Sequence, residues 1–273
     1  MKTILTINIF LIFIIICGCG QKKTDDISTG RDTISPLINT SVKFVLKELF
    51  RSYKDCKPGE VNCTYIKLNY IEATETNIKD KINKIINNEL ITAYEMPDKN
   101  LNNAELMAET FMNDYKNFKK MSPQLPEIWS IDYTAKVHGE TDKILCLSFF
   151  NSNYLGGTHP NTNTVFRNIN KETGDTISLK DLFGNGFEEK LNTLIDKKYR
   201  ETKGLKTGDN LADKGGLFEN KITFTFNFAV NSDRGIGFYY NAYDIAPYVL
   251  GPVAVKLSAE DIAGILTGSS PLK

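Results

Sequence analysis

The first nineteen residues decide which part of this chain folds as a domain and in which compartment it does so. Met1-Lys2 supplies a positive charge, and an apolar run follows from Ile4 to Ile16, interrupted by Thr6 and Asn8. The run closes on Cys17-Gly18-Cys19. A basic start, a short apolar core and a small residue at the exit make a secretory signal. The core spans 13 residues, short of the roughly 20 that a membrane-spanning helix needs.

Gly18-Cys19 stands where the cleavage site belongs and resembles a bacterial lipobox, in which the cysteine becomes the acylated N-terminus. On this reading residues 1–19 are signal and lipobox, and Cys19 is the lipidation site. Each buried CH₂ of an acyl chain contributes about 0.8 kcal/mol, so two or three chains hold a protein firmly to a bilayer. The expected partner is a membrane, reached through lipid, and the expected location is extracytoplasmic, in the cell envelope. Residues 20–40 are polar and without periodicity, as a flexible tether would be. Their start, Gln21-Lys22-Lys23-Thr24-Asp25-Asp26, also resembles signals that carry some lipoproteins to the outer membrane and its exposed surface.

Export sorts the five cysteines. Cys56 and Cys63 flank a Pro58-Gly59 turn signal, and in an oxidising compartment a disulfide is expected between them. The other reading, half of a zinc site, lacks its second half. Cys146 sits in the apolar run Ile144–Leu147 and reads as a buried thiol. Without residues 1–18 the chain keeps 32 basic and 33 acidic side chains, a formal charge of −1. Such a balance offers no basic field for nucleic acid.

From Ser41 the pattern is globular. Strands are expected at 42–50 and 65–71, around the cysteine turn. Ile78, Ile82, Ile85, Ile86 and Leu90 fall at helical spacing with Asn77 as cap, and Met107, Phe111, Tyr115 and Phe118 form a second helical stripe. Between these helices Met96-Pro97-Asp98 is read as a break. Period-two alternation marks strands from Trp129 to Val137 and from Ile222 to Val230, with further strands at 144–150, 165–169, 236–240 and 253–255. A third helix is expected through 187–199, and Ser258-Ala259-Glu260-Asp261 reads as a capping box opening a last one. The fold class is α+β, with mainly antiparallel sheets flanked by a few helices. Two small subdomains are expected, at 41–152 and 153–273.

No catalytic motif and no metal-ligand spacing is present. The two histidines, His138 and His159, lie on different elements, and Gly184-Asn185-Gly186 lacks the third glycine of a dinucleotide loop. No cofactor is expected. The densest local signal is Tyr154-Leu155-Gly156-Gly157-Thr158-His159-Pro160-Asn161. Its glycines permit tight turning, and Pro160 holds His159 extended. A second is Tyr243-Asp244-Ile245-Ala246-Pro247-Tyr248-Val249-Leu250-Gly251-Pro252, an aromatic corner. Either segment serves a binding surface or a buried corner, and the residues alone leave both readings open. The candidate binding residues are Tyr154, Gly156, Gly157, His159, Asn161, Tyr243 and Tyr248.

These segments, with Asn168-x-Asn170-x-x-Thr173-Gly174-x-x-Ile177-x-Leu179-x-Asp181-Leu182-Phe183 between them, resemble the PdaC/RsiV-like family of extracytoplasmic domains. That family includes a lysozyme-sensing anti-sigma factor and a peptidoglycan deacetylase. The resemblance covers most of 42–268 and implies their shared non-catalytic module, binding a lysozyme-like protein or peptidoglycan fragments. The deacetylase's separate metal-binding domain has no counterpart here. The alternative is an envelope hydrolase with His159 as general base beside a carboxylate such as Asp244.

Overall fold

The computed structural model describes residues 41–94, 100–125 and 127–273. Cys19, the tether and the expected break at Met96-Pro97-Asp98 lie outside the described residues. β1 (Phe44–Ser52) and β2 (Tyr65–Ala73) form an antiparallel hairpin. The turn between them is closed by the Cys56–Cys63 disulfide, with Gly59 at φ 89°. Two helices follow, α1 (Lys79–Ile91) and α2 (Ala104–Met121). Asn77 does not cap α1. The helix begins one residue later than expected, and the Ile78 amide donates to Thr76 Oγ1 at 3.4 Å. α2 is capped by Asn103, whose side chain accepts from the Leu106 amide at 2.9 Å.

β3 (Ser130–Glu140), β4 (Ile144–Tyr154) and β5 (Asn161–Asn170) complete a five-stranded sheet ordered β1-β2-β3-β4-β5. The β2–β3 pair is parallel, the others antiparallel. The two helices intervene between β2 and β3, and such a crossover returns the chain in the same direction. Ile82, Ile86, Leu90, Met107 and Phe111 pack on Ile66, Leu68, Tyr133, Leu145 and Leu147 in the first core. The expected boundary at 152/153 falls inside β4, and its sheet runs on to Asn170.

α3 (Leu179–Phe183) and α4 (Glu188–Lys203) lead to a three-stranded antiparallel sheet of β6 (Phe228–Val230), β7 (Ile236–Tyr240) and β8 (Val253–Leu257). α5 (Ala259–Ala263) ends the fold, opened by the Ser258–Asp261 capping box. Leu191, Ile195, Ile236, Phe238 and Ile262 build the second core. The expected strand from Ile222 shrinks to Phe228–Val230 because side chains replace a ladder before it. The Phe224 amide donates to Asn192 Oδ1 at 2.8 Å and the Asn227 amide to Thr225 Oγ1 at 3.1 Å. Phe224 packs on Phe187, and Phe226 lies exposed.

The two sheets meet along β5, whose outer backbone edge is served by asparagines. Thr164 donates its amide to Asn241 Oδ1 at 2.7 Å, and Phe166 donates to Asn227 Oδ1 at 3.0 Å. Asn227 Nδ2 donates to the Thr164 carbonyl at 2.8 Å and to the Tyr239 carbonyl at 3.1 Å. From β5 itself, buried Asn168 donates to the Phe228 carbonyl and accepts from the Val230 amide, both at 2.8 Å. A sheet edge is thereby covered without a further strand. At a bulge in β3, Gly139 comes so near the next turn that a Cβ there would stand 3.1 Å from Val230 O and Ser232 N.

Candidate functional site

The β4–β5 hairpin is longer than its apolar centre suggests. Both arms run on through polar residues, so 154–161 is the tip of a projecting hairpin. Gly156 and Gly157 hold φ of 98° and 111°, a region closed to most L-residues. Tyr154 Oη donates to the Gly157 carbonyl at 2.8 Å and pins the turn. Nothing stands within 4 Å of a Cβ on Gly157, so its glycine answers to backbone conformation alone. Asn161 opens β5 opposite Asn153 and is exposed.

Asn241 on the seam carries the second segment to this tip. Its amide donates to Asp244 Oδ2 at 2.7 Å, and Asp244's amide donates to Asn241 O at 3.1 Å, closing a turn. Tyr243 is the third residue of that turn at φ 73°, a place where Gly or Asn is usual. Its ring stands 6.5 Å from that of His159 and 5.5 Å from that of Tyr248. His159 and Tyr248 stack at 3.9 Å with planes 17° apart. Tyr248 Oη donates to the Pro160 carbonyl at 3.3 Å. His159 Nδ1 donates to the Pro160 carbonyl as well, at 3.0 Å.

The two segments thus meet in the open. Tyr243 is 59 % exposed, Val249 89 % and Leu250 53 %. Phe218, 53 % exposed, joins them because its amide donates to the Ile245 carbonyl at 2.9 Å. Phe218, Val249 and Leu250 were not among the candidates. Their signal in the sequence was present, large apolar residues beside Pro247, Gly251 and Gly216, but a buried corner shows the same signal. Asp244, the carboxylate considered for His159, spends Oδ2 on its own turn. His138 lies apart on β3, its Nε2 3.0 Å from Asn231 Oδ1 at the seam between the sheets. Buried Cys146 is there too, packed with Phe166 and Ala229, and burial pushes its thiol up to about 12. No group of three or more metal-binding side chains occurs among the described residues.

Residues 59–162 match the family model described as "Deacetylase PdaC", and residues 180–260 match "Protein of unknown function (DUF3298)". The chain carries a PdaC domain followed by a DUF3298 domain. The PdaC match takes in β2 to β4 and the hairpin tip, and the DUF3298 match takes in the aromatic corner. The contact of His159 with Tyr243 and Tyr248 therefore joins the two matched regions. Two solved structures share the fold. A DUF3298 family member from Bacteroides fragilis is 21 % identical, with a TM-score of 0.66 over 85 % of this chain and 96 % of that one. A DUF3298 family protein from Pseudomonas aeruginosa is 18 % identical, with a TM-score of 0.62 over 84 % of this chain and 96 % of that one. No curated protein matches the chain.

Proposed function

We propose that this protein is a lipid-anchored extracytoplasmic binding module, without catalysis, that docks a lysozyme-like protein on the His159–Tyr243–Tyr248 corner. The observation that carries this reading is Tyr243. A bulky residue at positive φ costs on the order of 1–3 kcal/mol, and a ring left mostly in solvent recovers little of that by burial. Strain held at an exposed aromatic points to use by a partner. Tyrosine offers a large rigid contact at small entropy loss, and aromatic residues lead among interface hot spots. Val249, Leu250 and Phe218 extend the apolar area around it.

The lipid anchor rests on Gly18-Cys19, and the Cys56–Cys63 disulfide agrees with an oxidising compartment. Titration of residues 41–273 with lysozyme in a calorimeter tests the proposal. Saturable heat is expected from the parent, with loss of at least tenfold in affinity for Tyr243→Gly. Absence of heat at high lysozyme concentration removes the protein-ligand reading.

A further inference from the structure

We propose that the free edge of β1 docks an extended peptide strand of a partner protein, one that carries a basic residue between two apolar ones in the pattern apolar-x-basic-x-apolar. β1 is the outermost strand of the five-stranded sheet and runs for nine residues. At its two ends the Tyr53 amide donates to the Thr64 carbonyl and the Thr74 amide to the Lys43 carbonyl. The register between these bonds is continuous, so odd-numbered residues of β1 turn their backbone groups toward β2 and even-numbered ones turn theirs outward. The outward Phe50 carbonyl accepts from Arg51 Nη1 at 2.9 Å. Among the described residues the outward groups of Leu46 and Glu48, and the Phe50 amide, have no partner. A row of such groups is a template for another strand.

The side chains along this edge select what can pair. Leu46, Glu48 and Phe50 share one face of the strand. Leu46 is 54 % exposed and Phe50 40 %. Glu48 between them has no ion pair among the described residues, whereas Lys47 is paired with Glu72 at 3.1 Å and Arg51 with Glu105 at 2.9 Å. The charge left to an incoming strand is therefore that of Glu48. Lys67 lies one strand further in, about 10 Å from an added strand against about 5 Å for Glu48. Beside Glu48 and Phe50 is a groove of about 240 Å³, lined also by Leu49, Pro58, Lys67 and Asn69. It falls short of the roughly 300–1,000 Å³ of small-molecule pockets, and it suits a single side chain.

A second copy of this chain is a poor occupant. Antiparallel pairing of two β1 edges in full overlap sets Glu48 against Glu48. Sliding by two residues either way sets Lys47 against Lys47 or Lys47 against Arg51. Like charges directly opposite each other are destabilising, so the edge disfavours its own kind and favours a strand of complementary charge. A strand laid antiparallel with its basic residue opposite Glu48 places its apolar residues opposite Leu46 and Phe50. None of these residues belongs to the aromatic corner, so this inference stands apart from the protein-docking one.

The experiment is NMR titration of isotope-labelled residues 41–273 with acetyl-Thr-Val-Thr-Lys-Thr-Val-Thr-amide. Saturable shifts and slowed exchange are expected at the Leu46, Glu48 and Phe50 amides. The same peptide with Glu in place of Lys is expected to bind at least tenfold more weakly, and Glu48→Lys to reverse that order. Leu46→Pro removes an outward N–H that bonds nothing in the fold, so it is expected to melt like the parent and to bind at least tenfold more weakly. Tyr243→Gly is expected to bind the peptide like the parent. The proposal is overturned by no shifts at millimolar peptide, by shifts confined to other residues, by parent-like affinity in Leu46→Pro, or by an unchanged order of the two peptides in Glu48→Lys. Slowed exchange of the same amides without peptide overturns it as well. Seen only in a longer chain of residues 20–273, it would make the tether the occupant, and growing with protein concentration it would make a second copy the occupant.

Discussion

Tyr243 sets backbone preference against side-chain placement. Glycine would satisfy the turn, yet it would remove the ring that meets His159 and Tyr248. Tyr243→Gly relieves strain of about 1–3 kcal/mol and adds back roughly 0.5–1 kcal/mol of unfolded-chain entropy. The expected outcome is equal or higher stability in urea unfolding together with lost binding, and a clear drop in stability would show that the ring is structural. The cysteine pair behaves in the opposite way, since its pairing was legible from the Pro58-Gly59 turn together with the export signal. Replacing Cys56 and Cys63 with serine opens a short loop, and a loss of about 2.5 kcal/mol in the urea midpoint analysis follows from chain entropy. Tyr243 was legible only as a residue of an aromatic corner. Its positive φ depends on Asn241 and Asp244 closing the turn, and its exposure depends on what the rest of the chain leaves uncovered.

Among the elements, the asparagines of the seam decide how the two sheets meet. Asn168→Leu keeps shape but strands the Phe228 carbonyl and the Val230 amide in a buried place. Each buried group left unpaired costs about 1–3 kcal/mol, so urea unfolding should show a loss of roughly 2–5 kcal/mol. A change within 0.5 kcal/mol would mean that the apolar contacts of Cys146, Phe166 and Ala229 hold the seam unaided. Periodicity found most helices and strands because one face of each is buried. It overran at Ile222–Asn227, where alternation is real but no neighbouring strand is available and Asn192 takes the Phe224 amide instead. It fell short at α3, five residues opened by a Ser178–Asp181 capping box of the same kind as that read at Ser258. An element so short has no period to detect.

Across the whole molecule, Glu140 ties the start of the described chain to the far end of the first sheet. Its carboxylate accepts from the Ser41 amide at 3.1 Å and Ser41 Oγ at 2.6 Å, and lies 2.6 Å from Lys171 Nζ. Burial by itself would raise its pKa, but the bonds to Lys171 and Ser41 prevail and hold it below its ordinary 4.5. A carboxylate depressed on folding adds stability above its unfolded pKa, and that stability is lost as pH falls through the folded value. The midpoint in urea should therefore fall as pH drops below 4.5, and Glu140→Gln should start lower at pH 7 and show a shallower acid loss. Parallel curves for variant and parent would assign the acid sensitivity to other carboxylates.

Local chemistry in the chain was enough to establish an α+β fold, the cysteine bridge, the capping box at Ser258 and the two segments that carry the candidate surface. Those features arise from neighbours a few residues apart, which a reader of the chain can see. Tertiary structure alone decided that β2 and β3 run parallel, that β5 and β6 are stitched by asparagine side chains, and that His159 stacks on Tyr248 in the open. Each depends on residues far apart in sequence competing for the same hydrogen bonds and the same buried volume. That competition is settled only when the whole chain packs.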